Sequence, residues 1–285
     1  MGVVGKHSCR AARSSIGIGG SLYPIMSTLI RDAGVIIRTI RHGETSSIIT
    51  VFTRNHGKIG LIAKGARRQI KRGCPLALEL FTEGEFLYYY KSSRDLQLLK
   101  ELSLQNAHLG IRDSLSGITL GSAILEMLTR YFHEEDAHSD LYDAMREALA
   151  AIDVQRGVCL PLLWKFELVL FNALGFGLQL KQCAASGNPL SPPFTAPIRF
   201  RYRDGTFLSP GAIFTGNVDG ALSADSFSIL ARLSDASYQF AGRLIVKEKT
   251  ESEITRFLHL YLESHLPVSG RIRSLEALRW SRNSD

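Results

Sequence analysis

Residues 55–73 read NHGKIGLIAKGARRQIKRG, a stretch that begins as a strand and ends in a run of positive charge. Asn and Gly tolerate positive φ, so NHG predicts a turn between the β-rich segments SSIITVFTR (46–54) and KIGLIAKG (58–65). Seven basic residues and no acid occur between Glu44 and Glu79. The stretch therefore predicts a β-hairpin that leads into an unneutralised basic loop.

Further strand patterns flank this hairpin at 29–40, where Gly34 is an interruption, and at 76–91 and 96–105. Several short strands with frequent turns indicate a small barrel or sandwich. Five strands in this length suit an OB-fold, a barrel that binds oligonucleotides, which we place at 26–105. Residues 1–25 are basic and rich in small residues, so we expect a disordered extension or a working start at Met26.

From residue 106 the apolar residues recur at helical spacing. A helical domain is predicted at 106–180, with Ser139 as a helix N-cap. Its third helix, in PLLWKFELVLFNALGFG (161–177), is apolar nearly all round and should be the buried centre. Residues 181–220 predict an irregular insert, and 221–285 predict further helices that pack on the helical domain, with a capping box from Thr250 to Glu253. The fold class is α+β.

Charge is distributed unevenly along the chain. The net charge is +7 overall, +6 within 26–105 and −5 within 106–180, a pattern typical of nucleic-acid binders. The four cysteines are far apart and show no zinc-ligand spacing or disulfide framework, which favours a reducing cytoplasm. No phosphate loop, nucleophile elbow or metalloprotease motif occurs, so neither a cofactor nor an enzymatic activity is predicted.

The basic loop and its neighbouring aromatic residues have two interpretations each. Cations on a glycine-bracketed loop suit a phosphate backbone, whereas a solvated loop is the alternative. Tyr88, Tyr89 and Tyr90 alternate along a strand, so at most one face offers rings to unpaired bases, and the other rings should be core. The acidic residues around 133–138 predict a solvated interhelical loop, with a metal site as the alternative.

The segment IRTIRHGETSSIITVFTRNHGKIGLIAKGARR closely resembles the N-terminal part of the RecO family of bacterial DNA repair and recombination mediators. SGITLGSAILEMLTRYF, LLWKFELVLFNALGFG, FLHLYLESHL and IRSLEAL match in the same order, so the resemblance covers about residues 29–278. It implies an OB-fold domain followed by a helical domain with an insert.

The resemblance also implies function and partners. Members bind single- and double-stranded DNA, anneal complementary strands, contact the acidic tail of single-stranded DNA-binding protein, and work with RecR to load RecA. A cytoplasmic, nucleoid-associated, membrane-free location follows. Lys165, the basic residue before FEL, becomes the contact for the acidic tail, with an ordinary surface lysine as the alternative. The implied DNA contacts are Arg54, Lys58, Lys64, Arg67, Arg68, Lys71 and Arg72.

The chain departs from many relatives at the zinc module. Those relatives carry four zinc-binding cysteines after the third helix, whereas here only Cys183 remains, in CAASG, with Ser186 at the second position. A structural zinc site needs four ligands, so the insert is expected to be zinc-free.

Three other functions stay open beside the recombination mediator. The first is an RNA-binding OB module that uses the same loop. The second is a nucleic-acid enzyme with a metal at 133–140. The third is a scaffold whose positive charge aids solubility.

Overall fold

The computed structural model describes residues 27–65, 78–155, 157–266 and 272–274. The chain begins with strands β1 (Thr28–His42), β2 (Ser46–Thr53), β3 (Gly57–Ala63), β4 (Glu83–Tyr90) and β5 (Gln97–Asn106). They close into a barrel in the order β1-β2-β3-β5-β4, in which β3 and β5 are parallel and the other neighbours antiparallel. The predicted small five-stranded barrel is confirmed.

The predicted interruption at Gly34 is wrong, because β1 continues through this residue. A Cβ at Gly34 would lie 2.4 Å from Val51 Cγ1, so glycine is needed for close approach of the strands rather than to end one. Side chains alternate along the strand, with Ile36 inside the barrel and Val35 and Ile37 packed with the helices. Strand β1 therefore joins the barrel to the rest of the molecule.

The helical part begins with α1 (Leu109–Arg112), α2 (Leu115–Tyr131), α3 (Ser139–Asp153) and α4 (Leu160–Ala173). As predicted, α4 is the buried centre of this part, because nearly every residue from Leu160 to Phe171 is buried. It packs against α2 and α3 and against three later helices, α5 (Ala224–Asp235), α6 (Tyr238–Ala241) and α7 (Glu248–His265). Among the helices that the structure describes, none has the length and hydropathy that a bilayer crossing requires.

The segment expected to be an irregular insert contains a four-stranded sheet. Its strands are β6 (Gln179–Cys183), β7 (Ile198–Arg201), β8 (Thr206–Leu208) and β9 (Gly220–Leu222), in the order β6-β8-β7-β9. Phe200 and Phe207 from this sheet pack against Phe257 of α7, with ring centroids 4.8 and 5.9 Å away. The segment is rich in Pro, Gly and Ser, and its strands of three to five residues are too short to show a clear period, so an ordered sheet is not predicted from the sequence.

Two predicted helix caps are wrong. Helix α7 starts at Glu248, and Thr250 is a buried residue of its first turn. Glu253 instead accepts hydrogen bonds from the backbone N–H and hydroxyl of Ser223, at 2.9 and 2.5 Å, at the start of α5. Ser139 is the first residue of α3 rather than its N-cap. The local spacing was correct for a capping box, but tertiary packing gave Glu253 a partner on another helix.

Candidate nucleic-acid interface

Lys58 lies at the start of β3 and contacts the end of helix α2. Its Nζ donates to the backbone carbonyls of Thr129 and Phe132, at 3.1 and 2.7 Å. The last carbonyls of a helix lack internal partners and carry partial negative charge, so an ammonium group there stabilises the helix. Burial lowers the pKa of Lys58; Glu134 opposes this shift and Arg38 adds to it. This geometry gives Lys58 a structural role, and its contact with DNA stays a prediction.

Arg54 follows β2 and pairs with a carboxylate of helix α3. Its Nε and Nη2 donate to the two carboxylate oxygens of Asp143, at 3.2 and 2.8 Å. The hydrogen bond with Asp143, together with the charge of that carboxylate, raises the pKa of Arg54. The Arg54 side chain is 50% exposed, so the part of the guanidinium group that does not face Asp143 is accessible to solvent. Arg54 and Lys58 thus both hold the barrel against the helices.

Lys64 lies just beyond the opposite end of β3 and is exposed. It is followed by Gly65, which has a φ of +67°, so the backbone turns sharply where it leaves the barrel. The predicted contacts Arg67, Arg68, Lys71 and Arg72 lie outside the described residues. The structure therefore places the point where the basic loop leaves the barrel, and the four remaining contacts stay predictions.

The aromatic residues divide between the barrel interior and its surface. Tyr88 is fully buried inside the barrel with Phe86, which confirms that these rings are core. Tyr89 lies on the opposite face, half-buried, with Lys100 Nζ 5.9 Å from its ring centroid. Tyr90 is half-buried and donates to Glu135 Oε2 at 3.0 Å. Among the described residues, Tyr89 is therefore the tyrosine of this run whose ring faces outward with no carboxylate bound to its hydroxyl.

The acidic segment between α2 and α3 is a solvated loop, as predicted, because residues 133–137 are exposed. It also contacts the barrel: the Glu135 N–H donates to the Lys58 carbonyl at 3.1 Å. Within the described ranges, no group of three histidine, cysteine or acidic residues is arranged to hold a metal ion. The role of this loop in the structure is contact between the barrel and the helices.

Lys165 is buried in helix α4, so the interpretation as an ordinary surface lysine is wrong. Its side chain extends towards the end of α5, where Nζ donates to the Leu233 carbonyl at 3.2 Å. It also lies 5.2 Å from the ring centroid of Tyr238, whose buried hydroxyl has no hydrogen-bond partner within the part of the chain that the structure describes. Burial lowers the pKa of Lys165. Lys165 as a contact for an acidic tail stays a prediction.

Cys183, at the end of β6, is surrounded by hydroxyl groups rather than by further zinc ligands. Its sulfur accepts hydrogen bonds from the N–H and the hydroxyl of Ser209, both at 3.3 Å. Burial raises the pKa of Cys183, but hydrogen bonds from Ser186 and Ser209 outweigh it and bring the pKa to about 6. These neighbours do not fit a tetrahedral zinc site, which needs thiolate, imidazole or carboxylate ligands.

Two family models match the chain in succession. The model described as recombination protein O N terminal matches residues 26–108, and the model described as recombination protein O C terminal matches residues 112–276. The chain belongs to the recombination protein O family. The first model contains the barrel and the basic loop, and the second contains the helices with the small sheet.

Three relatives named DNA repair protein RecO illustrate the similarity within this family. The protein from Chloroherpeton thalassium is 27% identical over 246 residues, which cover 85% of this chain and 95% of the relative. The protein from Prosthecochloris aestuarii is also 27% identical, over 86% of this chain and 95% of the relative. The protein from Salinibacter ruber is 34% identical over a shorter region, 52% of this chain and 56% of the relative.

Neither the family resemblance nor the charge count pointed to three arginines that the fold brings to one groove. They are Arg38 of β1, Arg130 of α2 and Arg273, which follows α7. They lie in three segments that are far apart in the sequence, so no single run of charge contains them. The excess of base over acid on the outward positions of β1 could have pointed to Arg38, but no comparable signal marks Arg130 or Arg273.

Proposed function

We propose that this member of the recombination protein O family is a non-enzymatic DNA-binding protein of recombinational repair, which anneals complementary single strands. The observation that carries the proposal is the acid-free basic segment that leaves the barrel beside the exposed Lys64. The five-stranded closed barrel supports an OB-type domain, an architecture used to bind oligonucleotides. The names of the relatives support the role in DNA repair.

The basic loop should contact phosphates rather than base edges. Its lysines and arginines follow Gly65, a glycine with positive φ at the edge of the barrel, and the sequence brackets them between Gly65 and Gly73, a pattern typical of a loop rather than of an element that docks in a DNA groove. Contacts with phosphates fix position without reading sequence. Binding should therefore be nearly independent of sequence and should weaken steeply with salt, because each neutralised phosphate releases condensed counterions.

The proposed partners are single-stranded DNA-binding protein, RecR and, through them, the RecA filament. Lys165 is the proposed contact for the acidic tail of single-stranded DNA-binding protein. Its ammonium makes one described hydrogen bond, to the Leu233 carbonyl, and lies 5.2 Å from the ring centroid of Tyr238, whose hydroxyl has no partner among the described residues. A tail carboxylate that reached this buried pair would gain a charged and a neutral donor in a site of low dielectric constant.

A tail peptide tests the role of Lys165. Lys165→Met keeps the apolar stem and removes the charge, so we expect about a tenfold loss of affinity for the labelled acidic tail peptide. Lys181→Met is the matched control, because Lys181 is an exposed lysine paired with Asp235. Equal tail affinity of a folded Lys165→Met variant and the wild type would remove Lys165 from the proposal.

The main experiment measures annealing of complementary oligonucleotides coated with single-stranded DNA-binding protein, with and without this protein. We expect acceleration that falls as salt rises. An RNA-binding module is the second candidate, because the same loop would serve. Equal affinity for RNA and DNA oligomers, with no effect on coated strands, would favour RNA binding and contradict the mediator role.

The small sheet is proposed to fold without zinc, since Cys183 has serine neighbours and the segment 184–220 contains no cysteine. Elemental analysis of the purified protein should find less than stoichiometric zinc. One zinc per chain would contradict this part of the proposal.

A further inference from the structure

A groove of about 600 Å³ runs between strand β1 and helix α2. Its apolar part is formed by Ile37 and Leu125, which are buried, and by Leu80, which is 37% exposed. Its polar part includes the three arginines Arg38, Arg130 and Arg273. The volume lies in the range of sites for small ligands, roughly 300–1,000 Å³. A single surface thus combines an apolar wall with guanidinium groups.

Glu126, the one acid among the described residues that line the groove, already has four hydrogen-bond donors. Its carboxylate accepts from the backbone N–H groups of Arg273 and Ser274, both at 3.0 Å, and from the Ser274 hydroxyl at 2.8 Å. Arg130 adds an ion pair at 2.7 Å. Burial raises the pKa of Glu126, but these donors outweigh it and lower the pKa, so the carboxylate is ionised and fully used. An incoming anion would therefore meet arginine side chains rather than a free carboxylate.

Arg38 and Arg273 are the arginines available to a ligand. Both are exposed, and neither side chain makes an ion pair with any residue that the structure describes. Arg38 also lies close enough to Lys58 to lower the pKa of that lysine, so positive charge continues from the groove towards β3. A guanidinium group binds a phosphodiester through two parallel N–H donors, which suits this open arrangement.

The groove begins where the chain returns from the basic loop. Leu80 lines it and comes three residues after the end of the undescribed segment 66–77. The Thr39 hydroxyl donates to the Leu78 carbonyl at 2.9 Å and fixes this return against β1. Thr129 also lines the groove, and its backbone carbonyl accepts the hydrogen bond from Lys58 Nζ. The segment that carries the basic loop therefore re-enters the described structure directly beside the groove.

We propose that this groove is a second contact for single-stranded nucleic acid, in which Arg38 and Arg273 bind a phosphodiester and the adjoining base lies on Ile37, Leu80 and Leu125. The proposal rests on the proposed function and deepens it. Continuity with the acid-free loop favours nucleic acid over an acidic peptide, which is the other polymer that arginines and an apolar wall could hold. An unpaired base can leave water and lie on the apolar wall. A base in duplex DNA is stacked and paired, so it could do this only after unpairing.

Anisotropy titrations of a short labelled oligothymidine at several salt concentrations test the groove in the full-length chain. Arg38→Ala/Arg273→Ala should lower affinity at low salt by roughly tenfold and flatten the plot of log affinity against log salt by about 1.4, or 0.7 per contact. Arg203→Ala/Arg243→Ala is the matched control, because it removes two exposed arginines that do not line the groove. The control should keep the slope of the wild type.

Two further measurements make the test specific. Replacing bases by abasic sites should weaken binding to the wild type more than to Arg38→Ala/Arg273→Ala, because this variant no longer holds the phosphodiester that places the base on the apolar wall. Oligomers carrying 5-iodouracil should cross-link to residues 37–38 or 122–130. If the double variant does not fold, Arg38→Gln alone should flatten the slope by about 0.7.

The outcomes separate the groove from the proposed function. Unchanged affinity and slope in Arg38→Ala/Arg273→Ala, beside losses of both when Arg67, Arg68, Lys71 and Arg72 are changed together to alanine, would overturn the groove and leave DNA binding intact. A wild-type protein that binds no oligomer would overturn both. Binding of an acidic peptide that needs Arg38 and Arg273, while oligothymidine binding does not, would assign the groove to a protein partner and overturn the proposal.

Discussion

Lys58 and Lys64 lie at opposite ends of the same strand, six residues apart, yet their environments in the fold differ. Lys58 Nζ donates to two carbonyls at the end of α2, whereas Lys64 is exposed at the point where the basic loop leaves the barrel. The glycines beside them differ in the same way. Gly57 and Gly65 both have positive φ, but only Gly57 is pressed against the helical part.

The difference shows that a run of positive charge can contain two kinds of residue. The start of β3 contacts the loop after α2, through Lys58 and through the Glu135 N–H. The end of β3 points away from that loop and continues into the basic segment. The cations at the start of β3 stabilise the contact between barrel and helices, whereas Lys64 at its other end is exposed.

The largest expected effect is on the loop itself. Changing Arg67, Arg68, Lys71 and Arg72 together to alanine should weaken binding to all DNA sequences and flatten the dependence of log affinity on log salt by about 3 for single strands. Thermal unfolding should change little, since exposed charges usually alter stability by about 0.5 kcal/mol or less. A folded quadruple variant that keeps its slope would place the DNA path elsewhere.

The two glycines that flank β3 should differ strongly on substitution. A Cβ at Gly57 would lie 2.1 Å from the Asp136 carbonyl oxygen, so Gly57→Ala combines positive φ with a backbone clash and should cost about 3 kcal/mol of unfolding free energy. Gly65→Ala has the same φ but no described atom within 4 Å, so it should cost only about 1–2 kcal/mol. Chemical denaturation of both variants measures the difference; equal costs would show that the contact with Asp136 is not tight in solution.

Substitution of the two lysines should affect different properties, stability for Lys58 and DNA binding for Lys64. Lys58→Met removes hydrogen bonds from a charged donor to two carbonyls and should lower unfolding free energy by about 1.5–3 kcal/mol with little change in salt slope. Lys64→Met should change stability by less than about 0.5 kcal/mol and reduce the slope by about 0.7. A loss of slope in Lys58→Met would instead confirm Lys58 as a phosphate contact.

The smallest expected effect concerns the pair Arg54–Asp143. The pair is bidentate but half exposed, so a double-mutant cycle with alanine should give a coupling of about 0.2–1 kcal/mol that shrinks as salt rises. Asp143→Ala alone also frees Arg54, and a modest gain in DNA affinity is expected. Unchanged affinity would show that Arg54 serves only the contact with α3.

Much of the fold could be predicted because its signals are local. The β-branched residues around 46–54 and the apolar helix α4 have patterns that depend on the nearest few residues, and both elements were found. The small sheet was missed because its strands are three to five residues long and follow no clear period. The capping box was wrong because Glu253 has a better partner, Ser223, 30 residues away in the chain.

The sequence by itself determined the barrel followed by helices, the concentration of positive charge between Glu44 and Glu79, and the family. Only the tertiary structure decided that Lys58 caps helix α2, that Lys165 is buried, and that Arg38, Arg130 and Arg273 meet in one groove. The physical reason is distance along the chain. Strand and helix patterns arise from neighbouring residues, whereas the environment of a charge depends on which distant backbone carbonyls and carboxylates the packing brings beside it.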